Sequence, residues 1–305
     1  MMVLLTGASG FIGNRFLALL QERQVPTAIL LRPAASRRLL AGSPPHGEVR
    51  VGALGDSTSL DRALEGVTHV VHCAGKTKAL RAAEFHEVNA TGTQNLVEAV
   101  GRRGSQISRF VYLSSLAACG PAVASAPARE DAPPSPVSDY GRSKLAAEQV
   151  IARLCPVPYV ILRPGGVYGP GDRDFLQLFR TVRAHLVPTF AGGRQPLSLV
   201  CVDDLAALAM HCLTTAAGAG RVYHVAHPAV VTAGELAHEV ARQMGSWTIP
   251  VPLPKAVLGA TAAAQDLISR WTGKPGILSR ERCRELGAAG WVCDTSRLRQ
   301  ELGWE

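Results

Sequence analysis

The sequence predicts an α/β fold: a doubly wound parallel sheet followed by a smaller C-terminal α/β region. Strand-length apolar runs alternate with helix-length amphipathic patterns along the first half of the chain. That alternation is the signature of a parallel sheet buried on both faces. A glycine-rich turn joins the first run to the first helical pattern. The residues able to do chemistry fall where strands end or on the helix just after, which is where such sheets bind ligands.

The elements can be placed in order. Residues 3–5 form the first apolar run, and Phe11, Ile12, Phe16, Leu17, Leu19 and Leu20 mark the helix that follows, spaced to share one face. Further strands are expected at 28–31, 49–51, His69–His72, Arg109–Leu113 and 159–162, with helices at 60–64, 81–102 and 139–153. Residues 120–136, rich in Pro, Ala and Ser, read as a surface loop. Beyond Pro164 the pattern loses regularity. The expected division is a nucleotide-binding domain over 1–165 and a substrate-binding region over 166–305, with some interleaving of chain.

The 305 residues are 47% hydrophobic, enough for a core without covalent staples. The net charge is +8, but no block of like charges and no basic helix with interleaved aromatics stands out. That argues against a nucleic-acid partner and for a solvated basic surface or an anionic ligand. Seven cysteines without a CxxC pair imply a reducing compartment, and a cytoplasmic location is expected. The longest apolar stretch, 256–271, contains Gln265, Asp266 and Arg270, so no membrane span is expected. His69 and His72 are three apart, as are His224 and His227. On strands such pairs face opposite sides, so no metal site is expected.

Thr6-Gly7-Ala8-Ser9-Gly10-Phe11-Ile12-Gly13 lies between strand and helix. Glycines there permit a tight turn and close approach of a pyrophosphate, and the helix N-terminus offers free N–H groups. Gly7, Ser9, Gly10, Phe11, Ile12 and Gly13 are therefore the candidate phosphate contacts of a dinucleotide on a Rossmann-type sheet. An NAD site of this kind carries an acid about 20 residues on. Here the second strand ends Leu30-Leu31-Arg32, with Arg37 and Arg38 close behind. An arginine can hold a 2′-phosphate in two-pronged fashion, so NADP is the preferred cofactor and NAD the alternative. Asp56, before Ser57, can accept from an adenine amino group or cap the next helix, and both uses stay open.

Tyr140 and Lys144 stand four apart, on one helical face. A nearby ammonium lowers a tyrosine pKa from its usual value of about 10, and the same lysine can reach a cofactor ribose. Ser114-Ser115 closes the strand before. A hydroxyl there can hydrogen-bond the substrate oxygen that Tyr140 protonates, or simply make a cap or turn. Asp203-Asp204 before an apolar helical run is read as a helix cap. Arg163, Arg173, Arg180, Arg183 and Arg194 populate the expected substrate side.

Taken together, Thr6–Gly13, His72-Cys73-Ala74-Gly75, Asn89-Ala-Thr-Gly92-Thr93, Tyr112-Leu-Ser-Ser115, Tyr140–Lys144, Leu162-Arg163-Pro164 with Val167-Tyr168-Gly169-Pro170, and Val202-Asp203-Asp204-Leu205 resemble the extended short-chain dehydrogenase/reductases of the NAD-dependent epimerase/dehydratase superfamily. From Thr6 to Leu205 these segments span about two-thirds of the chain, in the family's order. The resemblance implies Tyr140 as general acid/base, Lys144 on the nicotinamide ribose and Ser115 on the substrate oxygen. It also places Ala74, Gly75 and the segment Pro164 to Val167 against the cofactor, makes Asn89 a relay or a brace, and implies a homodimer. Sugar-nucleotide 4,6-dehydratases carry Asp-Glu after the hydroxyl residue, where this chain has Leu116-Ala117, which argues against that activity. Arg32 leans the resemblance toward the dihydroflavonol-reductase-like branch. The Pro-rich run 249–254 before an apolar helix leans toward the 3β-hydroxysteroid-dehydrogenase-like one.

The expected function is hydride transfer between NADP(H) and a carbonyl/secondary alcohol pair by a Ser-Tyr-Lys mechanism on a small-molecule substrate. The alternatives are an NAD-dependent sugar-nucleotide C4 epimerase, a 3β-hydroxysteroid-type dehydrogenase and a non-catalytic NADP-binding sensor. An intact Ser115/Tyr140/Lys144 set counts against the sensor.

Overall fold

The computed structural model describes residues 1–33, 47–189, 193–252, 264–265, 271 and 280–304. Arg37, Arg38, Asp266, Arg270 and most of the apolar stretch 256–271 lie outside the described residues.

Twelve strands appear among the described residues. They are β1 (Val3–Thr6), β2 (Thr27–Leu31), β3 (Glu48–Val51), β4 (His69–His72), β5 (Arg109–Leu113), β6 (Tyr159–Pro164), β7 (Gly166–Tyr168), β8 (Leu186–Thr189), β9 (Pro196–Cys201), β10 (Arg221–Val225), β11 (Val230–Thr232) and β12 (Ile249–Pro252). Seven form one parallel sheet in the order β10-β6-β5-β4-β1-β2-β3. The chain leaves β1 for β2 on one side and later returns to β4 on the other. This switch opens a crevice at the carboxyl ends of β1 and β4.

Strand residues alternate between two buried layers, as the two-residue period requires. Leu5, Ile29, Val71, Val111 and Leu162 pack in one layer, against Phe16 and Leu20 of the helix Phe11–Glu22 and Leu205 and Ala209 of Val202–Thr214. Leu4, Leu30, Val70, Phe110 and Ile161 pack in the other, against Leu60 of Ser57–Ala63, Leu96 of Gly92–Arg103 and Ile151 of Asp139–Leu154. Each such side chain contributes roughly 1.5–3 kcal/mol on burial, so both faces of the sheet are strongly held.

Residues beyond 165 serve both parts of the molecule. The helix Val202–Thr214 packs on Phe11–Glu22, and β10 adds to the edge of β6. The rest builds a three-stranded sheet, β11-β9-β7, and a two-stranded one, β12-β8.

Several local expectations need correction. The helix expected over 81–102 begins at Ala82 and widens into a π-type segment, His86–Thr91, before Gly92–Arg103. Such widening is frequent at functional sites, and Asn89 sits in it. Residues 120–136 do run over the surface, as expected, but bridges Ala122–Trp291 and Ala128–Cys293 also lace them to the C-terminal segment. Partners so far apart in the chain leave no local periodicity to read. Asp203 and Asp204 lie in the first turn of their helix, not at its cap, which is Cys201. Asp203 pairs with Arg15 of the first helix. His227 falls just past the end of β10.

Candidate active site

The glycine turn explains itself sterically. Gly7 has φ +79°, and a Cβ there would stand 2.6 Å from the Ala74 nitrogen. A Cβ on Gly13 would meet the Gly7 carbonyl oxygen at 2.2 Å. The first glycine lets β1 run tightly beside the end of β4, and the third lets the helix dock on the turn. The N-cap of the 12-residue helix is Gly10, which has no side chain to occupy the helix N-terminus. This shape and these N–H groups fit a pyrophosphate.

A buried polar chain braces the turn from below. The Ala74 N–H donates to Thr6 Oγ1 (3.2 Å), and Thr6 Oγ1 lies 2.7 Å from His72 Nδ1. His72 Nε2 lies 2.9 Å from Thr93 Oγ1, which donates onward to the Asn89 carbonyl. With Thr93 donating away, His72 donates through Nε2 and accepts at Nδ1. Burial, with Lys144 adding to it, pushes the His72 pKa down to about 3, so the ring stays neutral.

One cleft of about 1900 Å³ runs from this turn across the carboxyl ends of the strands. That exceeds the roughly 300–1,000 Å³ typical of a single drug-sized ligand, leaving room for a dinucleotide and a substrate together. Gly7, Ser9, Gly10, Phe11, Ile12, Gly13, Arg32, Gly75, Pro164 and Val167 all line it, as do Ser115 and Tyr140. The remaining expected residues stand elsewhere. Asp56 caps the helix Ser57–Ala63, accepting from the Ser59 N–H at 3.1 Å, and neither it nor Ser57 lines the cleft. Ala74 contributes its backbone N–H to Thr6. Lys144 is buried beneath the cleft floor.

Tyr140 and Ser115 come together from different elements. Ser138 caps the helix Asp139–Leu154, accepting from the Gly141 N–H at 3.0 Å, and so sets Tyr140 in its first turn. Ser115 follows the end of β5 and caps a short turn of helix, accepting from the Ala117 N–H at 3.2 Å. Its cap and its place at the cleft coexist. Burial pushes the Tyr140 pKa up to about 12, and its hydrogen bond with Ser115 opposes that rise. The expectation that Lys144 lowers it is therefore corrected. The Lys144 ammonium instead donates to the Leu113 carbonyl (2.6 Å) and the Tyr112 hydroxyl (3.1 Å), and burial lowers its own pKa to about 8.

Asn89 acts as a brace. Its Oδ1 accepts from the Lys76 N–H (2.7 Å), and its Nδ2 donates to the Lys76 carbonyl (3.0 Å) and to Ser143 Oγ (2.9 Å). It thereby ties the exit of β4 to the helix that carries Tyr140 and Lys144.

Of the five arginines expected on the substrate side, Arg173 lines the cleft. Arg163 is buried and pairs with Glu148. Phe85 and Leu178 fall in the segments 75–85 and 165–200 expected to build the pocket, whereas Leu236, Glu285, Leu286 and Trp291 are cleft walls that sequence reasoning misses. Glu285 accepts from Ser138 Oγ at 2.8 Å, beside Tyr140. These come from segments without a motif. The Phe85 ring meets the Tyr140 ring edge-on at 6.1 Å.

The model of the NAD dependent epimerase/dehydratase family matches residues 3–226. The UDP-glucose 4-epimerase of Vibrio cholerae is 28% identical over 319 residues, covering 99% of this chain and 90% of its own. The ceramide reductase of Caulobacter vibrioides is 29% identical over 300 residues, covering 95% of this chain and 85% of its own. Among solved structures, the UDP-glucose 4-epimerase of Thermus thermophilus in complex with NAD has the same fold. Its TM-score is 0.77 at 23% identity, over 100% of this chain and 94% of that one.

Proposed function

The chain belongs to the NAD dependent epimerase/dehydratase family and is an enzyme of the extended short-chain dehydrogenase/reductase type, and on that premise we propose that it is an NADP(H)-dependent reductase acting on a carbonyl/secondary alcohol pair in a largely apolar substrate. The observation that carries this reading is the hydrogen bond between Tyr140 and Ser115 at a cleft that Phe85, in ring contact with Tyr140, and Leu116 also line.

Gly7, Ser9, Gly10, Phe11, Ile12, Gly13, Arg32, Gly75, Pro164 and Val167 would hold a nicotinamide dinucleotide, which would supply or take up hydride. The chain's own groups handle the oxygen. Ser115 donates a hydrogen bond to the carbonyl oxygen and holds it against Tyr140. With its pKa pushed up to about 12, Tyr140 is protonated at neutral pH and can hand that proton to the oxygen of a carbonyl as it is reduced. Lys144, with a pKa near 8, is mostly charged at pH 7 and sets a positive charge at the end of β5 that favours negative charge developing on the reacting oxygen. Leu116 and Ala117 offer no proton to neighbouring carbons, as the Asp-Glu pair of a 4,6-dehydratase would.

Support for a reductase comes from Arg32, which lies at the exit of β2 and lines the cleft, and from the similarity to ceramide reductase. The similarity to a UDP-glucose 4-epimerase favours a second reading, a C4 epimerase that keeps NAD bound and returns hydride to the opposite face. Calorimetric titration with NADP and with NAD, after an absorbance check for carried-over nucleotide, separates the two. NADP binding at least tenfold tighter, about 1.4 kcal/mol, with NADPH consumed by apolar ketones, supports the reductase. Co-purified NAD without NADPH turnover supports the epimerase.

A further inference from the structure

We propose that Glu148 and Arg163 form a positioning pair for Ser115, fixing both ends of the turn that carries it; the inference rests on the reading of Ser115, Tyr140 and Lys144 given above. Tyr140, Lys144 and Glu148 recur every four residues along the helix Asp139–Leu154, so they share one stripe that faces the ends of β5 and β6. Lys144 holds Tyr112 and Leu113, the last two residues of β5. Glu148 takes up the next position, accepting from the Ser114 hydroxyl. The residue after that is Ser115.

Arg163 closes the other end of the turn. Its guanidinium meets the Glu148 carboxylate from Nε (2.9 and 3.1 Å) and Nη2 (2.6 Å), while Nη1 donates to Cys119 Sγ at 2.9 Å. His224 holds Cys119 from the far side, with Nε2 at 3.0 Å from the sulfur and Nδ1 donating to the Ala128 carbonyl at 3.1 Å. Burial keeps His224 neutral, with its pKa near 4, and Cys119 a thiol, with its pKa near 11. Residues 114 and 119 are thus tied to one buried ion pair, and Ser115 lies between them.

Stability alone is a poor account of this pair. Glu148 and Arg163 are only 4% and 6% exposed. Removing two such charges from water costs as much as their attraction returns, and apolar pairs of similar volume do as well. A two-pronged ion pair does, however, fix direction. Glu148 also acts on Lys144: it raises the lysine pKa, as does Cys73, against the burial that lowers it. Tyr112 and His72 are the other ionisable groups facing that ammonium.

The test uses Ser114→Ala and Glu148→Gln in the full chain, with Tyr140→Phe as control. NADPH binding is followed by fluorescence across a pH range of about 6–10 that brackets the lysine, NADPH oxidation with 2-decanone as probe ketone, and folding by thermal melting. Glu148→Gln should move the pH at which NADPH binding weakens to lower values by at least half a unit, because the lysine loses a negative neighbour. Ser114→Ala should leave that pH and the melting temperature near wild type while kcat falls at least tenfold. Unmoved binding in Glu148→Gln together with wild-type kcat in Ser114→Ala overturns the proposal. Should Glu148→Gln fail to fold, Ser114→Ala decides by its rate alone. Should Tyr140→Phe turn over like wild type, the mechanism above fails, and the NADPH-binding profile, which needs no turnover, still decides the role of Glu148.

Discussion

The ammonium of Lys144 donates to the carbonyl oxygen of Leu113 at 2.6 Å, so the lysine belongs to the floor of the cleft and not to its surface. It is 4% exposed, and burial brings its pKa from 10.5 down to about 8. The unfolded chain therefore binds a proton between pH 8 and 10.5 that the folded chain does not. Stability from this group rises with pH across that window. At about 1.36 kcal/mol per unit, the rise is on the order of 3 kcal/mol.

Lys144→Met should lose turnover and should also lose that rise. The measurement is chemical denaturation of wild type and variant from neutral pH to 10.5, the upper edge of the window, reading the difference between them. The difference matters because Cys119, raised to about 11, titrates in the opposite sense in both proteins. A difference that moves in favour of wild type as pH rises through the window identifies a buried charge held at a cost. A constant difference means that Lys144 titrates as it would in water.

Tyr140→Phe should lower the rate of carbonyl reduction by roughly 10²–10⁴-fold, the usual worth of a positioned proton donor. Ser115→Ala should cost on the order of 10²-fold, as for one lost hydrogen bond to a developing oxyanion. With Tyr140 near 12 and Lys144 near 8, the rate of reduction should be flat in the acid range and fall through pH 8 as the lysine loses its charge. Steady-state rates across that range check this. A fall only above about pH 10, where an unperturbed lysine titrates, would assign the limb to another group.

The three glycines of the phosphate turn are not equivalent. Gly13→Ala places a Cβ against the Gly7 carbonyl oxygen at 2.2 Å, and backbone must move to admit it. Gly10→Ala meets the same oxygen at 3.3 Å, a contact that small shifts relieve. Gly13→Ala should destabilise by roughly 1–3 kcal/mol, as overpacking does, and weaken nucleotide binding. Gly10→Ala should fold normally. Thermal melts with and without NADPH distinguish the two.

Those glycines are legible in the sequence because a strand-turn-helix with fixed spacing is a local pattern. So are the strands of the main sheet except β10, most of them continuous apolar runs as burial on two faces demands. Tyr140 and Lys144 are legible as a pair four apart on one helical face, and Ser115 by its place just after β5. What escapes the sequence is non-local. Glu148 stands four residues after Lys144, a spacing the sequence displays, but its partner Arg163 is identified only once β6 is laid beside the helix. Sequence alone therefore puts Arg163 on the substrate side, where an unpaired arginine would belong. Trp291 is set in place through a bridge to Ala122, and no periodicity announces a contact of that separation. The direction of the Tyr140 shift is misjudged because spacing puts a lysine near a tyrosine without saying which way the ammonium turns.

Under the reductase reading, Arg32 is the residue proposed to select NADP. It is exposed at the end of β2 and lines the cleft beside the glycine turn, the place where an adenine ribose would sit on a sheet of this kind. A charge-assisted hydrogen bond is worth about 1.5–3 kcal/mol, so Arg32→Ala should weaken NADP binding by roughly 10–100-fold. NAD has no phosphate for the guanidinium to hold, and its affinity should change less than threefold. Arg32→Asp should go further, repelling the 2′-phosphate while offering a carboxylate to the ribose hydroxyls, so that NAD becomes the tighter ligand. Calorimetric titration of both variants with both nucleotides gives four affinities. If the NADP/NAD ratio is the same in wild type and Arg32→Ala, the guanidinium does not read the phosphate, and the reductase reading loses its support from the cofactor.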